Sequence, residues 1–436
     1  QGRVPETMFN TNHMVLRFYL YSFFKNLRFA DPFLILYFLA LEMSYSEIGL
    51  LLGLQHLVTV LLEFPSGVFA DYWGRRRATA LCFAFYSLSF TGFGMTGQVT
   101  ELPLIFWLGG CLALFALGEA LRTGSHKAIM LDYLDSMDQS HLATQLLGRT
   151  RSVSKFTSAL AAVSGGVLLA WSRDYGLLFY LSAGAAVCGF LLLLTYPRAL
   201  EGDAYRARRT NSVNPEDSMR QPFRVMWRRP NFRKLFIQSV VFESQLKMIL
   251  KYFTQPFLKN GLAMFGIPII APVGVSGFAS AGAIFVGLNE FLRDSLGALG
   301  ARFSSVFELQ ADSRSHALNR IYFGGFFAVL FLAGCAVNLK WGLLPGLVLL
   351  MVLTLLQNLR RPIFVSALNT EMMKTERASV LSLESVSRAV TVAVLLPLFG
   401  WAADQFGLLA VWILATLILL SGFLFKIQDE DVSKNK

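Results

Sequence analysis

Apolar stretches long enough to cross a bilayer recur along this chain, and no other feature limits its fold so tightly. A hydrocarbon layer about 30 Å thick needs roughly 20 apolar residues of helix. Such stretches number about twelve: residues 14–41, 46–71, 76–97, 102–135, 142–172 and 176–196, then 232–258, 268–297, 317–337, 341–370, 377–403 and 406–426. In lipid the backbone must satisfy its own polar groups, and runs of this length do so as helices rather than as barrel strands. Composition agrees. Of 436 residues 54% are hydrophobic and 15% charged, and mean hydropathy is +0.51, where soluble domains carry about 25% charge. The expected fold class is an all-α polytopic membrane protein.

The net charge of +11 is unevenly spread. Arginines cluster at Arg75, Arg76 and Arg77 and again between Arg198 and Lys234. Positive loops resist translocation, so these two loops are expected on the cytoplasmic side of the cell membrane, and an even number of spans puts both termini there too. The opposite loops hold little basic charge beyond Arg173 and Lys340. The mid-chain polar segment divides the chain into 1–197, a basic linker 198–231, and 232–436. Within it "MRQPFRVMWRRP" reads either as a short amphipathic helix on the anionic leaflet or as a solvated connector. With no basic soluble domain, nucleic acid is not an expected partner. The N-terminal "QGRVPETMFNTNH" is polar and the first apolar run exceeds a signal-peptide core, so no cleavable signal is expected. Cys82, Cys111, Cys188 and Cys335 lie in apolar runs without metal-ligand spacing and read as small core residues.

The two halves resemble each other. "GEALRTGSHKAIMLDYL" pairs with "LQNLRRPIFVSALNTEM", "SRDYGLLFYLSAG" with "AADQFGLLAVWILA", and Glu63-Phe64 with Glu290-Phe291. Together they indicate a duplicated six-helix unit, an architecture on which transporters are built.

Between the second and third runs stands "SGVFADYWGRRRAT". Gly67, Asp71, Gly74, Arg75 and Arg76 resemble the signature loop of the major facilitator superfamily (MFS), with Tyr72 at a usually basic position and Arg77 extending the run. The resemblance covers nearly the whole chain and implies about twelve helices in two pseudo-symmetric six-helix bundles. It implies that these five residues form a conformational switch, in which Asp71 accepts hydrogen bonds at the N-terminus of the eleventh span, near "KTERAS", and latches the halves. A carboxylate suits that place because the helix dipole favours an anion there. The arginines also set topology. Arg122 loosely resembles an arginine linked to proton coupling in some members. The fifth run, "AVSGGVLLAW", lacks the proline of the motif carried by many drug–proton antiporters.

Ionisable residues inside membrane helices are costly and are functional candidates by default. The first run holds Lys25, Arg28 and Asp31, whose three-residue spacing confines them to one side of a helix; the seventh holds Glu243, Lys247 and Lys251, at four-residue spacing on one narrow face. In the family these two helices line the central cavity. Candidate substrate contacts are Lys25, Arg28, Arg122, Lys247, Lys251, Gln357 and Asn358. Candidate proton-coupling groups are Asp31, Glu63, Glu119 and Glu243. Glu119–Arg122, Glu290–Arg293 and Glu384–Arg388 have intrahelical pair spacing. His56, a lone histidine, reads as structural. Gln55, Tyr21, Tyr37, Gln245 and Tyr252 are polar or amphipathic candidates for a cavity wall. The expected function is secondary active transport by alternating access, proton-coupled, of an anionic or zwitterionic small molecule. Efflux of cationic drugs and a non-transporting receptor or scaffold on the same fold are the alternatives. No nucleophile–base set, ATP-binding motif or metal cluster stands out, so neither an enzyme nor a cofactor is expected. A monomer in the lipid bilayer is expected.

Overall fold

The computed structural model describes residues 13–99, 101–122, 125–197, 230–269, 281–311, 313–370 and 377–427. They are helical throughout, and each of the twelve apolar runs carries helix. In chain order these are α1 (His13–Asn26), a 3-10 turn (Asp31–Phe33), α2 (Leu34–Ala40), α3 (Tyr45–Trp73), α4 (Arg75–Gly94), α5 (Leu104–Arg122), α6 (Ser125–Ser136), α7 (Ala143–Ser172) and α8 (Tyr175–Leu194). There follow α9 (Pro230–Met248), a π turn (Ile249–Phe253), α10 (Thr254–Ala263), α11 (Ala281–Leu309), α12 (Arg314–Val337), α13 (Leu339–Thr370), α14 (Arg377–Phe406) and α15 (Leu408–Ser421). Among the described residues eight segments are long and apolar enough to cross a membrane by length and composition. The runs that fall short do so for visible reasons. The first is broken into pieces, α4 opens on three arginines, and α9 and α11 carry several charges each.

Three expectations change in detail. The first run is not one helix: α1 ends at Asn26, and the chain resumes as helix only from Asp31. Pro32 sits at the start of the 3-10 turn, where its missing N–H costs nothing. The opened backbone is satisfied by other helices. The Phe29 N–H donates to Ser182 Oγ at 3.0 Å, and the Ile35 and Leu36 N–H groups donate to Gln255 Oε1 at 3.0 and 3.3 Å. Gly165 admits the Phe29 carbonyl, which a Cβ there would meet at 2.7 Å. Arg28 and Asp31 therefore do not share a regular helix face with Lys25. In the seventh run, the π turn between Met248 and Thr254 changes the helical phase. Glu243 and Lys247 keep their four-residue spacing within α9, while Lys251 falls in the π turn; Glu243 is buried, Lys247 half-buried and Lys251 exposed. Finally, only Cys82 and Cys111 are core residues. Cys188 is exposed and Cys335 half-buried, because a helix that is apolar all round does not distinguish its protein side from its lipid side.

The described residues fall into two compact units. One takes residues from 1–34, 54–212 and 283–291, the other from 35–53, 213–282 and 292–436. In the first, α4 packs against α5 and α8, and α1 against α7 and α8. In the second, α12 packs on α13 and α15, and α14 on α9 and α15. Close approach relies on small residues, as is usual between membrane helices. Gly189 leaves room for the Phe83 ring, Gly346 for Phe257 and Gly325 for Phe242.

The turn from α3 to α4 depends on one glycine. Gly74 has φ 105° and ψ 130° and stands as the N-cap of α4. Only glycine adopts that conformation without strain. Gly74→Ala is expected to destabilise the protein by about 1–3 kcal/mol, read as a lower thermal unfolding midpoint in detergent. Gly184→Ala, inside α8 with open space around the added carbon, is the control and is expected to leave the midpoint unchanged or slightly raised.

Candidate functional site: a buried charge cluster in each unit

In the first unit the charges gather on Glu119, near the end of α5. Arg122, one turn on, grips Glu119 Oε2 through Nε at 3.0 Å and Nη2 at 2.6 Å. Arg28, from the broken stretch after α1, donates through Nη2 to Glu119 Oε1 at 3.1 Å, and the Tyr86 hydroxyl of α4 donates to the same oxygen at 2.7 Å. The carboxylate thus accepts four hydrogen bonds, three of them charge-assisted, and its lone pairs are used in full. The Arg28 guanidinium also lies over the Tyr86 and Phe115 rings, at 4.5 and 5.0 Å from their centroids. Gly118 makes room for the Tyr86 ring, which a Cβ there would meet at 2.8 Å. Asp31 stands 3.7 Å from Arg28 Nη1 and is half exposed.

Around this core lie groups the ion pairs do not consume. The charges of Arg122, Arg28 and Glu119 act on the Lys25 ammonium, yet it forms no hydrogen bond or ion pair among the described residues. Glu63 on α3 feels the charge of Arg122 and likewise forms no side-chain hydrogen bond or ion pair among the described residues. Tyr21 of α1 stacks flat on His126 of α6, centroids 3.3 Å apart, and His126 Nε2 meets the Tyr196 hydroxyl at 3.2 Å. That hydroxyl donates to the Arg17 carbonyl, so His126 Nε2 serves as the donor to it.

In the second unit the organising acid is Glu384 of α14, fully buried. Arg361 Nη1 donates to both of its oxygens at 3.0 and 3.1 Å, and Arg388 Nε lies 3.0 Å from Oε1. Ser239 of α9 donates to Oε1 at 3.2 Å. Arg360, the neighbour of Arg361 on α13, is also fully buried. It donates to Ser239 Oγ and Gln238 Oε1, each at 3.3 Å, and stacks over Phe242 and Phe364. Its approach to Glu243 of α9 is looser, 3.9 Å from Nη1 to Oε1, while Gln357 Nε2 donates to Glu243 Oε2 at 3.2 Å. Arg360 Nε, Glu243 Oε1 and both amide atoms of Gln245 are buried without a hydrogen-bond partner among the described residues. Orphans of this kind are rare and mark a place that strain or function holds open.

The sequence-predicted residues therefore divide. Lys25, Arg28, Asp31, Glu119 and Arg122 come together in the first cluster, with Glu63 beside it; Glu243 and Gln357 come together in the second. Asn358 turns to the Thr354 carbonyl of its own helix at 2.9 Å and packs on Gly297 of α11. Lys247 is half-buried, and Lys251 lies over the Tyr252 ring at 5.2 Å. Arg360, Arg361, Glu384 and Arg388 were visible as intramembrane charges, but no spacing announced that α9, α13 and α14 would share them. Tyr86 carried no sequence signal at all. Of the switch, the side chain of Asp71 and those of the expected partner "KTERAS" (374–379) lie outside the described residues. Arg75 Nη1 pairs with Asp132 Oδ2 of α6 at 2.7 Å, and Arg76 donates to the Leu193 and Leu194 carbonyls at the C-terminus of α8, at 3.1 and 3.0 Å. A cation there complements the dipole.

The comparisons with known proteins agree on one family. The family model of the Major Facilitator Superfamily matches residues 20–356. A Bacillus subtilis (strain 168) protein described as an uncharacterized MFS-type transporter, YxaM, is 29% identical over 117 residues, 26% of this chain and 27% of that protein's length. Among solved structures, the nucleoside transporter NupG superposes with a TM-score of 0.73 at 14% identity, covering 96% of this chain and 100% of that one. A bacterial homologue of the lysosomal transporter Spinster, in an inward-facing and occupied conformation, gives 0.71 at 15% identity, covering 98% and 97%. A D-xylose–proton symporter gives 0.69 at 11% identity, covering 97% and 98%. The chain, a multi-pass all-helical membrane protein, belongs to the Major Facilitator Superfamily.

Proposed function

We propose that this protein is a secondary active transporter that moves an anionic or zwitterionic small molecule by alternating access, coupled to protons. The observation that carries the reading is the charge balance of the two clusters. In the second, Arg360, Arg361 and Arg388 meet Glu243 and Glu384 among the described residues, which leaves one positive charge. An unbalanced charge in a low dielectric is expensive, and a bound anion relieves it. Arg361 and Arg388, with side chains 33% and 24% exposed, are the reachable members; Glu384 holds them in place. The unpartnered Gln245 amide is a further contact for a polar ligand.

In the first cluster, Arg28 and Arg122 pair with Asp31 and Glu119, and Lys25 and Glu63 stand within reach of their charges without an ion pair of their own among the described residues. Ionised, Glu63 balances the set; protonated, it leaves one positive charge. A proton on Glu63 and an anion at Lys25 then favour each other, which is the linkage that coupled transport requires. Glu119 is less suited to release, since four hydrogen bonds hold it. One structural relative is by name a proton symporter, so the fold accommodates such coupling. Lys247, Lys251 and Asn358 remain candidate substrate contacts; Asn358 also donates to the Thr354 carbonyl of its own helix.

Two outcomes follow. Thermal unfolding of the purified protein against organic anions, amino acids, sugars, nucleosides and lipophilic cations is expected to show stabilisation by an anion or zwitterion. At about a hundredfold the dissociation constant this amounts to roughly 2.7 kcal/mol, and Arg361→Gln or Arg388→Gln is expected to abolish it. Stabilisation by lipophilic cations alone would instead establish the drug-efflux reading. With the substrate so identified, Glu63→Gln in proteoliposomes is expected to keep substrate binding and lose substrate-linked acidification of a trapped pH dye; undiminished proton movement would remove Glu63 from the coupling.

A further inference from the structure

The tetrad of the signature loop is used twice in this chain. Gly67, Ala70, Asp71 and Gly74 form G-x-x-A-D-x-x-G, and Gly400, Ala403, Asp404 and Gly407 form it again at the end of α14. The likeness extends to the backbone. Gly74 and Gly407 both have positive φ, 105° and 77°, and both are N-caps of the helix that follows, α4 and α15.

In the second copy the aspartate has a partner. Asp404 accepts from the Tyr45 N–H at 2.9 Å through Oδ1 and from the Ser46 N–H at 2.7 Å through Oδ2, and the Ser46 hydroxyl also donates to it. These are the first amides of α3, where a helix leaves donors unpaired and its dipole favours an anion. The next donor is met locally. Glu47 N–H donates to Ser44 Oγ, and the Glu47 carboxylate accepts from the Ser44 N–H at 2.8 Å, a capping box. Asp404 thus supplies what that box does not.

Below this cap the two helices touch through backbone. Gly400 abuts the Tyr45 carbonyl and Gly49 the Leu396 carbonyl, with no space for a side chain at either. Gly53 faces the Ala393 carbonyl, which an added Cβ would meet at 2.6 Å. Pro397, inside α14, has no N–H to offer that carbonyl. The acid cap, three glycines and one proline form a continuous seam along two turns of α3.

We infer that Asp404 is a conformational latch residue of the transport cycle: its cap and the seam hold the first turns of α3 to α14 in the state described and part in another. The inference rests on the alternating-access reading only for that parting; the cap and the seam stand without it.

The test uses full-length protein in detergent, with Cys188 and Cys335 replaced by serine and a single reporter cysteine labelled by a water-soluble maleimide. Ala393→Cys reports the seam. Asp404→Ala is expected to raise labelling at 393 about fivefold, the size of a lost cap. Gly49→Leu, which wedges the seam with Asp404 intact, is expected to do the same. Asp404→Glu keeps the charge and is expected to restore most of the wild-type pattern. Monodispersity on gel filtration establishes that each variant folds. Unchanged labelling at 393 in both Asp404→Ala and Gly49→Leu overturns the latch and leaves transport untouched. Increased labelling at 393 in Gly49→Leu but not in Asp404→Ala overturns the latch role of Asp404 and leaves the seam.

Discussion

A charge placed among membrane helices stands only where other charges and hydrogen bonds surround it, and in each unit one glutamate meets that requirement for its neighbours. Glu119 ties Arg28 and Arg122 to Tyr86; Glu384 ties Arg361 and Arg388 to Ser239. Neither acid is expendable. Removing it strips two partly buried guanidinium groups of their shared acid, a loss that breaking a buried pair puts at about 3–5 kcal/mol, and after loss of Glu119 only the looser contact with Asp31 remains to Arg28. The packing around the acids follows from the same need. Gly118 gives way to Tyr86 so that its hydroxyl reaches Glu119, and the aromatic faces of Tyr86, Phe115, Phe242 and Phe364 are turned to guanidinium groups.

The internal repeat reappears in these clusters with its polarity reversed. In the first unit the cation comes from the first apolar run and the acid from the fourth, Arg28 to Glu119 at 3.1 Å. In the second unit the acid comes from the seventh run and the cation from the tenth, Glu243 to Arg360 at 3.9 Å. The shared "LR" of the repeat places Arg122 and Arg360 at equivalent positions, yet Arg122 is held by its own helix and Arg360 by its neighbours' amides and hydroxyls. The tight pair leaves no orphan on Glu119; the loose one leaves an unpartnered atom on each side. The two clusters thus differ in kind: the one around Glu119 is tightly paired, and the one around Glu243 and Arg360 keeps buried atoms without a hydrogen-bond partner among the described residues.

The helical class, the apolar runs and the special turn at Gly74 were legible because each rests on a local rule: length of apolar sequence, absence of charge, and glycine where φ is positive. The intrahelical spacings of Glu119 with Arg122 and Glu384 with Arg388 were legible for the same reason, being three and four residues apart. What sequence periodicity could not supply was any contact that depends on departure from a regular helix. It assumed one helix through Lys25, Arg28 and Asp31, whereas the chain opens after Asn26. It also assumed regular helix as far as Lys251, which lies in a π turn. At the break in the first run, side chains from elsewhere, Ser182 and Gln255, take up backbone donors, and no window of local sequence contains that information.

Polar residues within the apolar runs then sort by what they serve. Ser182 and Gln255 serve backbone opened by an irregular turn. Thr59, Thr79, Ser164 and Thr416 return a hydroxyl to a carbonyl four residues back, at 2.6–2.8 Å, and so leave no polar atom facing lipid. Glu119, Glu384, Arg28 and Arg122 serve one another. After these structural demands are met a short remainder is left: Lys25, Glu63 and Gln245, whose side chains have no hydrogen-bond or ion-pair partner among the described residues, and Arg361 and Arg388, whose shared acid balances only one of their charges. Glu384 compensates Arg361 and Arg388 in part, and the charges of Glu119 and Arg122 act on Lys25 and Glu63 without a direct contact, so these five, rather than the fully paired residues, are the polar groups of the apolar runs that structural demands leave incompletely answered.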